Sequence, residues 1–237
     1  TKYFLKILLI MKQKFTILFD LDGTLVDTAP DLMAAHNHVM KKFGYPTKST
    51  EQIRNLVGQG AGAMLGRSIW GQAKKEFSKV EDEKIKSEMV KDFVDFYGKN
   101  IVNESTLIKG VKDFLIWSKE NNISMAVCTN KQEHLAVDLL KKIGIYDFFE
   151  YVAGYNTFDY CKPDPRHLTS VIEILDGDIK KSLMIGDSET DANAAKDAGI
   201  PVILLEDGYT EKNTTEIYHN HLVKDFVGIE KIVSKYF

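Results

Sequence analysis

The chain of 237 residues carries 31 basic and 34 acidic side chains, a net charge of −3, and is 44% hydrophobic. Such a length and composition suit a folded globular protein, either one large domain or a core with a smaller inserted one, and exclude a disordered chain. The near balance of charge, with no Lys/Arg-rich run, offers no general attraction to nucleic acid or to an anionic membrane surface.

Tyr3 to Ile10 is apolar apart from Lys6, too short to span a bilayer, and no small-residue cleavage site follows, so neither a membrane anchor nor a signal peptide is expected. Met11-Lys12-Gln13-Lys14 leads straight into the first strand, which leaves Met11 open as a natural start and residues 1–10 as an N-terminal extension. Thr16 to Phe19 reads as a buried strand, and Asp20 and Asp22 emerge at its end just before the Gly23 turn. Carboxylates there are costly. In an open α/β sheet the carboxyl ends of the strands are where ligands bind, so the pattern points to a site that uses the charge, with a metal ion; an ordinary Asp-Gly turn is the plain alternative.

From Pro30 the apolar residues Leu32, Ala35, Val39, Met40 and Phe43 recur at helical spacing and stop before Gly44. A second helix opens near Thr50, a glycine-rich loop Gly58-Gln59-Gly60-Ala61-Gly62 interrupts, and a long helix carries Ile85, Met89, Phe93, Tyr97 and Ile101 at four-residue steps. No strand is read between Asp27 and Thr106. Residues 28–105 are therefore expected to form an all-helical insertion over the end of a sheet, with residues 11–27 and 106–237 forming the core.

Beyond Thr106, strands and helices alternate: helix Gly110–Asn121, strand Ser124–Cys128, helix Lys131–Ile143, strand Tyr151–Ala153, helix Pro165–Leu175. Strand Ser182–Ile185, helix Glu189–Ala198, strand Val202–Leu205 and a last unit, His221–Val223 with Gly228–Tyr236, complete the series. Strict alternation predicts an α/β fold, a Rossmann-like parallel sheet with helices on both faces. Cys128 and Cys161 are too few for a disulfide framework and lack a Cys-x-x-Cys spacing, so both read as reduced, inert thiols in a cytoplasmic setting.

The strand ending at Cys128 delivers Thr129-Asn130, and the one ending at Ile185 delivers Gly186-Asp187-Ser188 and then Asp191. Lys162 stands before Pro163 in a loop at the same edge. These groups can converge on one crevice. Three or four carboxylates there cannot all stay ionised without a cation; hard oxygen ligands suit Mg²⁺, and a lysine beside a hydroxyl suits a phosphate.

Asp20-Leu21-Asp22-Gly23-Thr24, Thr129-Asn130, Lys162-Pro163 and Gly186-Asp187-Ser188-Glu189-Thr190-Asp191 resemble, in order and spacing, the four motifs of the haloacid dehalogenase superfamily. The resemblance spans nearly the whole chain. It implies a Rossmann-like core, a helical cap inserted after the first motif, and Mg²⁺-dependent phosphoryl transfer through an aspartyl phosphate. Carried over by position, Asp20 is the nucleophile and Asp22 the general acid and base, while Asp187 binds Mg²⁺ with Asp20 and the Asp22 backbone carbonyl, completed or supported by Asp191. Gly23 and Thr24 belong to the same phosphate-side loop, Thr129 donates its hydroxyl and Asn130 a backbone amide to phosphoryl oxygens, and Lys162 holds both phosphate and nucleophile.

Within the superfamily, the second aspartate Asp22 sets the chain apart from dehalogenases and phosphonatases, and Leu32 occupies the position where β-phosphoglucomutases carry a cap histidine. The nearby His36 and His38 are read as solvent-facing or core-edge residues of the first cap helix. Asp27-Thr28-Ala29-Pro30-Asp31-Leu32, Arg54-Asn55-Leu56-Val57-Gly58-Gln59-Gly60, Lys162-Pro163-Asp164-Pro165 and Asp207-Gly208-Tyr209 look like phosphoglycolate phosphatases. The implied partner is a small phosphorylated metabolite, 2-phosphoglycolate. Gly58, Gln59 and Gly60 follow a helix rather than a strand, which rules out a dinucleotide fingerprint; they either present backbone N–H groups to the organic end of the substrate or simply turn the chain. Arg54 or Arg67 is the candidate cation for a substrate carboxylate. Trp70 and Trp117 are read as packing residues. Another phosphomonoester, a phosphomutase reaction, and a non-catalytic binding module stay open as alternatives, and the sequence leaves the oligomeric state open.

Overall fold

The computed structural model describes residues 14–70 and 80–237, and the side chains among them except those of residues 70 and 80–85. The readings of residues 1–10, of Met11, and of the Trp70 and Ile85 side chains lie outside the described residues.

Six strands form one parallel sheet in the order β5-β4-β1-β6-β7-β8. These are β1 (Thr16–Phe19), β4 (Ser124–Cys128), β5 (Tyr151–Ala153), β6 (Ser182–Gly186), β7 (Val202–Leu205) and β8 (His221–Val223). β1 is central and wholly buried because its residues are apolar on both faces, apart from Thr16. Ile17 and Phe19 pack with Val127, Ile185 and Leu205 on one face; Leu18 packs with Ala126, Cys128, Met184 and Val202 on the other. Helices α5 (Val111–Glu120), α6 (Glu133–Lys142) and α9 (Glu230–Val233) cover the first face, and α7 (Arg166–Ile174) and α8 (Glu189–Ala198) the second. The expected doubly covered parallel sheet is what the chain forms.

Between β2 (Val26–Asp27) and β3 (Thr106–Leu107) the described chain is helical: α1 (Ala29–Phe43), α2 (Thr50–Arg54), α3 (Ala61–Trp70) and α4 (Val80–Lys99). β2 and β3 pair antiparallel where the chain leaves and rejoins the sheet, a two-residue ladder too short to show a periodicity in the sequence. Asp31, in the first turn of α1, accepts the backbone N–H groups of Glu104 and Ser105 and the Ser105 hydroxyl, which ties the outgoing chain to the returning one. Gly44, at φ 76°, ends α1 in the left-handed conformation that glycine adopts freely. Ser49 and Gln52 cap α2 reciprocally.

Several boundaries differ from the sequence reading. Ala61 and Gly62 are the first turn of α3 rather than loop, α4 ends at Lys99 so that buried Ile101 lies past it, and the last helix is confined to Glu230–Val233. His36 is buried rather than at an edge, with Nε2 2.7 Å from the Ser68 hydroxyl, whereas His38 is exposed and stacks on Phe96. Two residues along α1 rotate the side chain by about 200°, which puts these neighbours on opposite sides of the core boundary. Trp117 packs against Phe114 and Phe237, as expected of a packing residue. No helix among the described residues is long and apolar enough to cross a membrane.

Candidate active site

Register assembles the site. Phe19 lies level with Val127 of β4 and Ile185 of β6, so Asp20, Thr129 and Asp187 leave three adjacent strands at one edge within a single residue step. The Asp20 N–H donates to the Ile185 carbonyl, at 2.9 Å, and the next residues turn sharply at Gly23. Gly23 has φ 82°, and a Cβ there would overlap the Asp187 carboxylate, so two separate constraints require glycine. A second close approach occurs at Gly186, where a Cβ would run into Asp191.

Asp20, Asp187 and Asp191 are buried, and one oxygen from each lies within 4.8 Å of the others. Thr24 donates to Asp187 Oδ1 at 2.9 Å and the Tyr209 N–H to Oδ2 at 2.6 Å. Asp191 is held from both sides: Oδ2 accepts the N–H groups of Asp187 and Ser188 and the Ser188 hydroxyl, and Oδ1 accepts from Lys162 Nζ at 2.5 Å. Lys162, with its side chain 1% exposed, also stands 2.9 Å from Asp20 Oδ1, although that oxygen receives no well-angled hydrogen bond. Burial raises the Asp20 carboxyl to about 6 against the opposing pull of Lys162. Burial, followed by the Asp20 and Asp191 charges, pushes Asp187 well above the usual carboxylate range. For Lys162, burial works against the ammonium, but Asp191 and Asp20 outweigh it and raise its pKa.

Three buried carboxylates thus face one ammonium. That surplus of hard, negatively charged oxygen in a small volume is the donor set a divalent Mg²⁺ takes, so the residues present fit the ion.

Asp22 plays a different part. Its Oδ1 accepts from the Thr28 hydroxyl and from Lys131 Nζ, each at 2.6 Å. The sequence reading gives neither residue a role: Thr28 stands only inside the Asp27–Leu32 stretch, and the signal for Lys131 is a basic residue directly after Thr129-Asn130. Thr129 is buried and its hydroxyl accepts the Lys131 N–H at 3.2 Å. The Asn130 amide reaches two carbonyls, Lys162 at 2.9 Å and Gly58 of the helical segment, also at 2.9 Å.

A cavity of about 420 Å³ opens between the sheet edge and the helical segment, lined on one side by Asp20, Asp22 and Thr129 and on the other by Gly58, Gln59 and Gly60. Arg54 and Arg67 are not brought to it. Arg54 donates to Asp27 Oδ2 at 2.7 Å and lies over the Tyr209 ring, 5.3 Å from its centre. Arg67 donates to the carbonyls of Leu56 and Val57. An arginine beside helix ends and the β2 carboxylate satisfies those groups first, and periodicity cannot distinguish that duty from substrate binding. Burial alone would raise the Asp27 carboxyl, but hydrogen bonds from Arg54 and Tyr209 outweigh it and hold the carboxyl below its ordinary value. Tyr209 therefore links Asp27, where the chain leaves the sheet, to Asp187, a role that the Asp207-Gly208-Tyr209 stretch does not announce.

Cys128 is fully buried and burial pushes its thiol up to about 12, which makes it inert. His167, on α7 behind the site, is buried against Phe158, and burial together with the Lys162 charge lowers its pKa to about 4. Because the unfolded chain takes up that proton first, the stabilisation is complete above about pH 6.5 and is lost as the pH falls toward 4. The interval amounts to roughly 3 kcal/mol. Urea titrations over this range should show the wild type losing about that much more stability than His167→Leu; parallel curves for the two proteins would refute it.

Residues 17–205 match the family model described as haloacid dehalogenase-like hydrolase. A phosphoglycolate phosphatase of Mesorhizobium japonicum is 36% identical over 210 residues, which cover 89% of this chain and 90% of that protein. One from Agrobacterium fabrum is 36% identical over 226 residues, covering 92% and 94%. A solved structure described as a predicted phosphoglycolate phosphatase from Haemophilus somnus superposes with a TM-score of 0.84 at 30% identity, over 94% of this chain and 99% of that one. With the four motifs on one sheet edge and relatives matched along nearly their full length, this chain belongs to the haloacid dehalogenase-like hydrolase family and is a hydrolase of its phosphatase type.

Proposed function

We propose that the protein is a Mg²⁺-dependent phosphatase that hydrolyses 2-phosphoglycolate to glycolate and phosphate through an aspartyl phosphate. The observation that carries this reading is the pairing of Asp20, held among Asp187, Asp191 and Lys162, with a second aspartate, Asp22, kept outside that cluster by Thr28 and Lys131. The substrate follows from the relatives named phosphoglycolate phosphatase.

In this reading an Asp20 carboxylate oxygen attacks phosphorus and the bond from phosphorus to the ester oxygen breaks. Asp22 delivers a proton to the departing oxygen, then takes one from a water that attacks the same phosphorus and returns Asp20 as the free carboxylate. Lys162, the Thr129 hydroxyl and the Asn130 N–H hold the phosphoryl oxygens, and the turn at Gly23-Thr24 packs on Asp187 and holds it beside them. Asp20, Asp187 and the Asp22 carbonyl would hold Mg²⁺, with Asp191 fixing Lys162 and the Asp187 loop. Bound there, the ion supplies positive charge that offsets the carboxylates and the phosphate.

Residues 28–105 act as the cap of a core made of residues 11–27 and 106–237. The Asn130–Gly58 hydrogen bond is a contact that its opening would break. Gly58, Gln59 and Gly60 close over the organic end of the substrate. Two cysteines, too few for a disulfide framework, suit a reducing, cytoplasmic setting.

Phosphate release from 2-phosphoglycolate, sugar phosphates and nucleoside monophosphates, with Mg²⁺ and with chelator, tests the proposal. Chelator-sensitive release favouring 2-phosphoglycolate is expected. Equal rates across the panel would remove the substrate, and release indifferent to chelator would remove the metal.

A further inference from the structure

We propose that Lys131 is the residue that selects a carboxylate-bearing leaving group, receiving the substrate carboxylate on its ammonium beside Asp22. This rests on the phosphoglycolate reading above and adds the side chain that enforces it.

A lysine is rarely buried unless something engages its charge. The Lys131 side chain is only 5% exposed, and its Nζ sits 2.6 Å from Asp22 Oδ1 and 4.5 Å from the centre of the Tyr97 ring. An ammonium has three N–H donors. Among the described residues Asp22 is its one hydrogen-bond acceptor, so donors remain for a ligand in the cavity that Lys131 lines. Tyr97 lines the same cavity, and its buried hydroxyl has no hydrogen-bond partner. A bound carboxylate would supply an acceptor to both groups.

Position decides between Lys131 and the other cations. In 2-phosphoglycolate a single methylene carbon separates the ester oxygen from the carboxylate. If Asp22 protonates that oxygen, the carboxylate must lie within a few bonds of Asp22, and Lys131 is the cation in contact with Asp22. Arg54 and Arg67 do not line the cavity and are committed to Asp27 and to the Leu56 and Val57 carbonyls. Lys86 also lines the cavity, but from α4 of the helical segment, whereas Lys131 comes from the sheet edge beside Asp22.

The experiment compares kcat/KM for 2-phosphoglycolate with that for 2-hydroxyethyl phosphate, which replaces the carboxylate with an alcohol, in wild type, Lys131→Met and Lys131→Arg. The ratio of the two constants cancels any general damage to Asp22 or the fold. Lys131→Met is expected to lower this ratio by roughly 100-fold, since a buried charged acceptor is left without its partner, and Lys131→Arg to restore part of it. If Lys131→Met does not fold, Lys131→Gln carries the same comparison. A wild type that prefers 2-phosphoglycolate, with a Lys131→Met ratio that does not change, overturns the proposal alone. A wild type without that preference overturns the substrate reading and this proposal together.

Discussion

Asp20→Asn is expected to abolish phosphate release, by on the order of 10⁴-fold or more, while leaving the thermal unfolding midpoint unchanged or slightly raised. The amide is nearly the size of the carboxylate but is too weak a nucleophile to form the acyl phosphate. The stability half of the expectation comes from electrostatics. Asp20 is buried among Asp22, Asp187 and Asp191, and its carboxyl is already raised to about 6, first by burial and then, against Lys162, by Asp191. Removing that charge relieves repulsion and gives up one contact with Lys162. Phosphate release and thermal melts on the same preparation check both halves. Undiminished activity in Asp20→Asn would end the covalent mechanism, and a melted variant would mean that the carboxylate is structural.

Lys162→Met should be the most destabilising of the site substitutions. The ammonium contacts Asp20 Oδ1 at 2.9 Å and Asp191 Oδ1 at 2.5 Å inside a pocket where both partners are buried. Methionine matches the length of the lysine stem and adds no cavity, so what is lost is the charge. Removing one partner from a buried ion pair costs about 3–5 kcal/mol, because the remaining carboxylates stay desolvated and unpaired. For a chain of this size that corresponds to a drop in melting temperature on the order of 10 °C. The melt is measured with chelator, so that no cation substitutes for the lysine. Adding Asp191→Asn to Lys162→Met should recover part of the loss, and a double variant as unstable as the single one would show that the packing of the stem, rather than its charge, sets the stability. Activity should fall with Lys162→Met as well, as the phosphoryl oxygens lose their buried cation.

The candidate site illustrates what can be read from a chain and what cannot. Asp20, Thr129 and Asp187 could be placed together in advance because each directly follows an apolar strand, and parallel strands deliver the residues after them to one edge. Asp191 followed from the same logic, three residues into a helix whose first turn points back at the strand end. Arg54 could not be placed. Its sequence neighbourhood, a helix end before a glycine-rich loop, allows both a substrate contact and an ion pair with Asp27, and only the folded chain sets Asp27 of β2 and Tyr209, beyond β7, beside it. His36 was misjudged for a related reason: a polar residue on a helix reads as exposed until a partner such as Ser68, 32 positions away, is found to satisfy it.

The alternating α/β order, the parallel sheet and the acidic strand-end motifs were legible in the chain alone, because each depends on hydrophobic period and on groups next to one another along the chain. Which cation serves which anion is settled by the folded chain. Lys131 meets Asp22 and Tyr97, Arg54 meets Asp27, and Lys162 meets Asp20 and Asp191 across separations of up to 142 positions. Long side chains at comparable positions have similar reach, so their partners are fixed by where the helical segment packs on the sheet edge, a long-range outcome with no local periodicity to announce it.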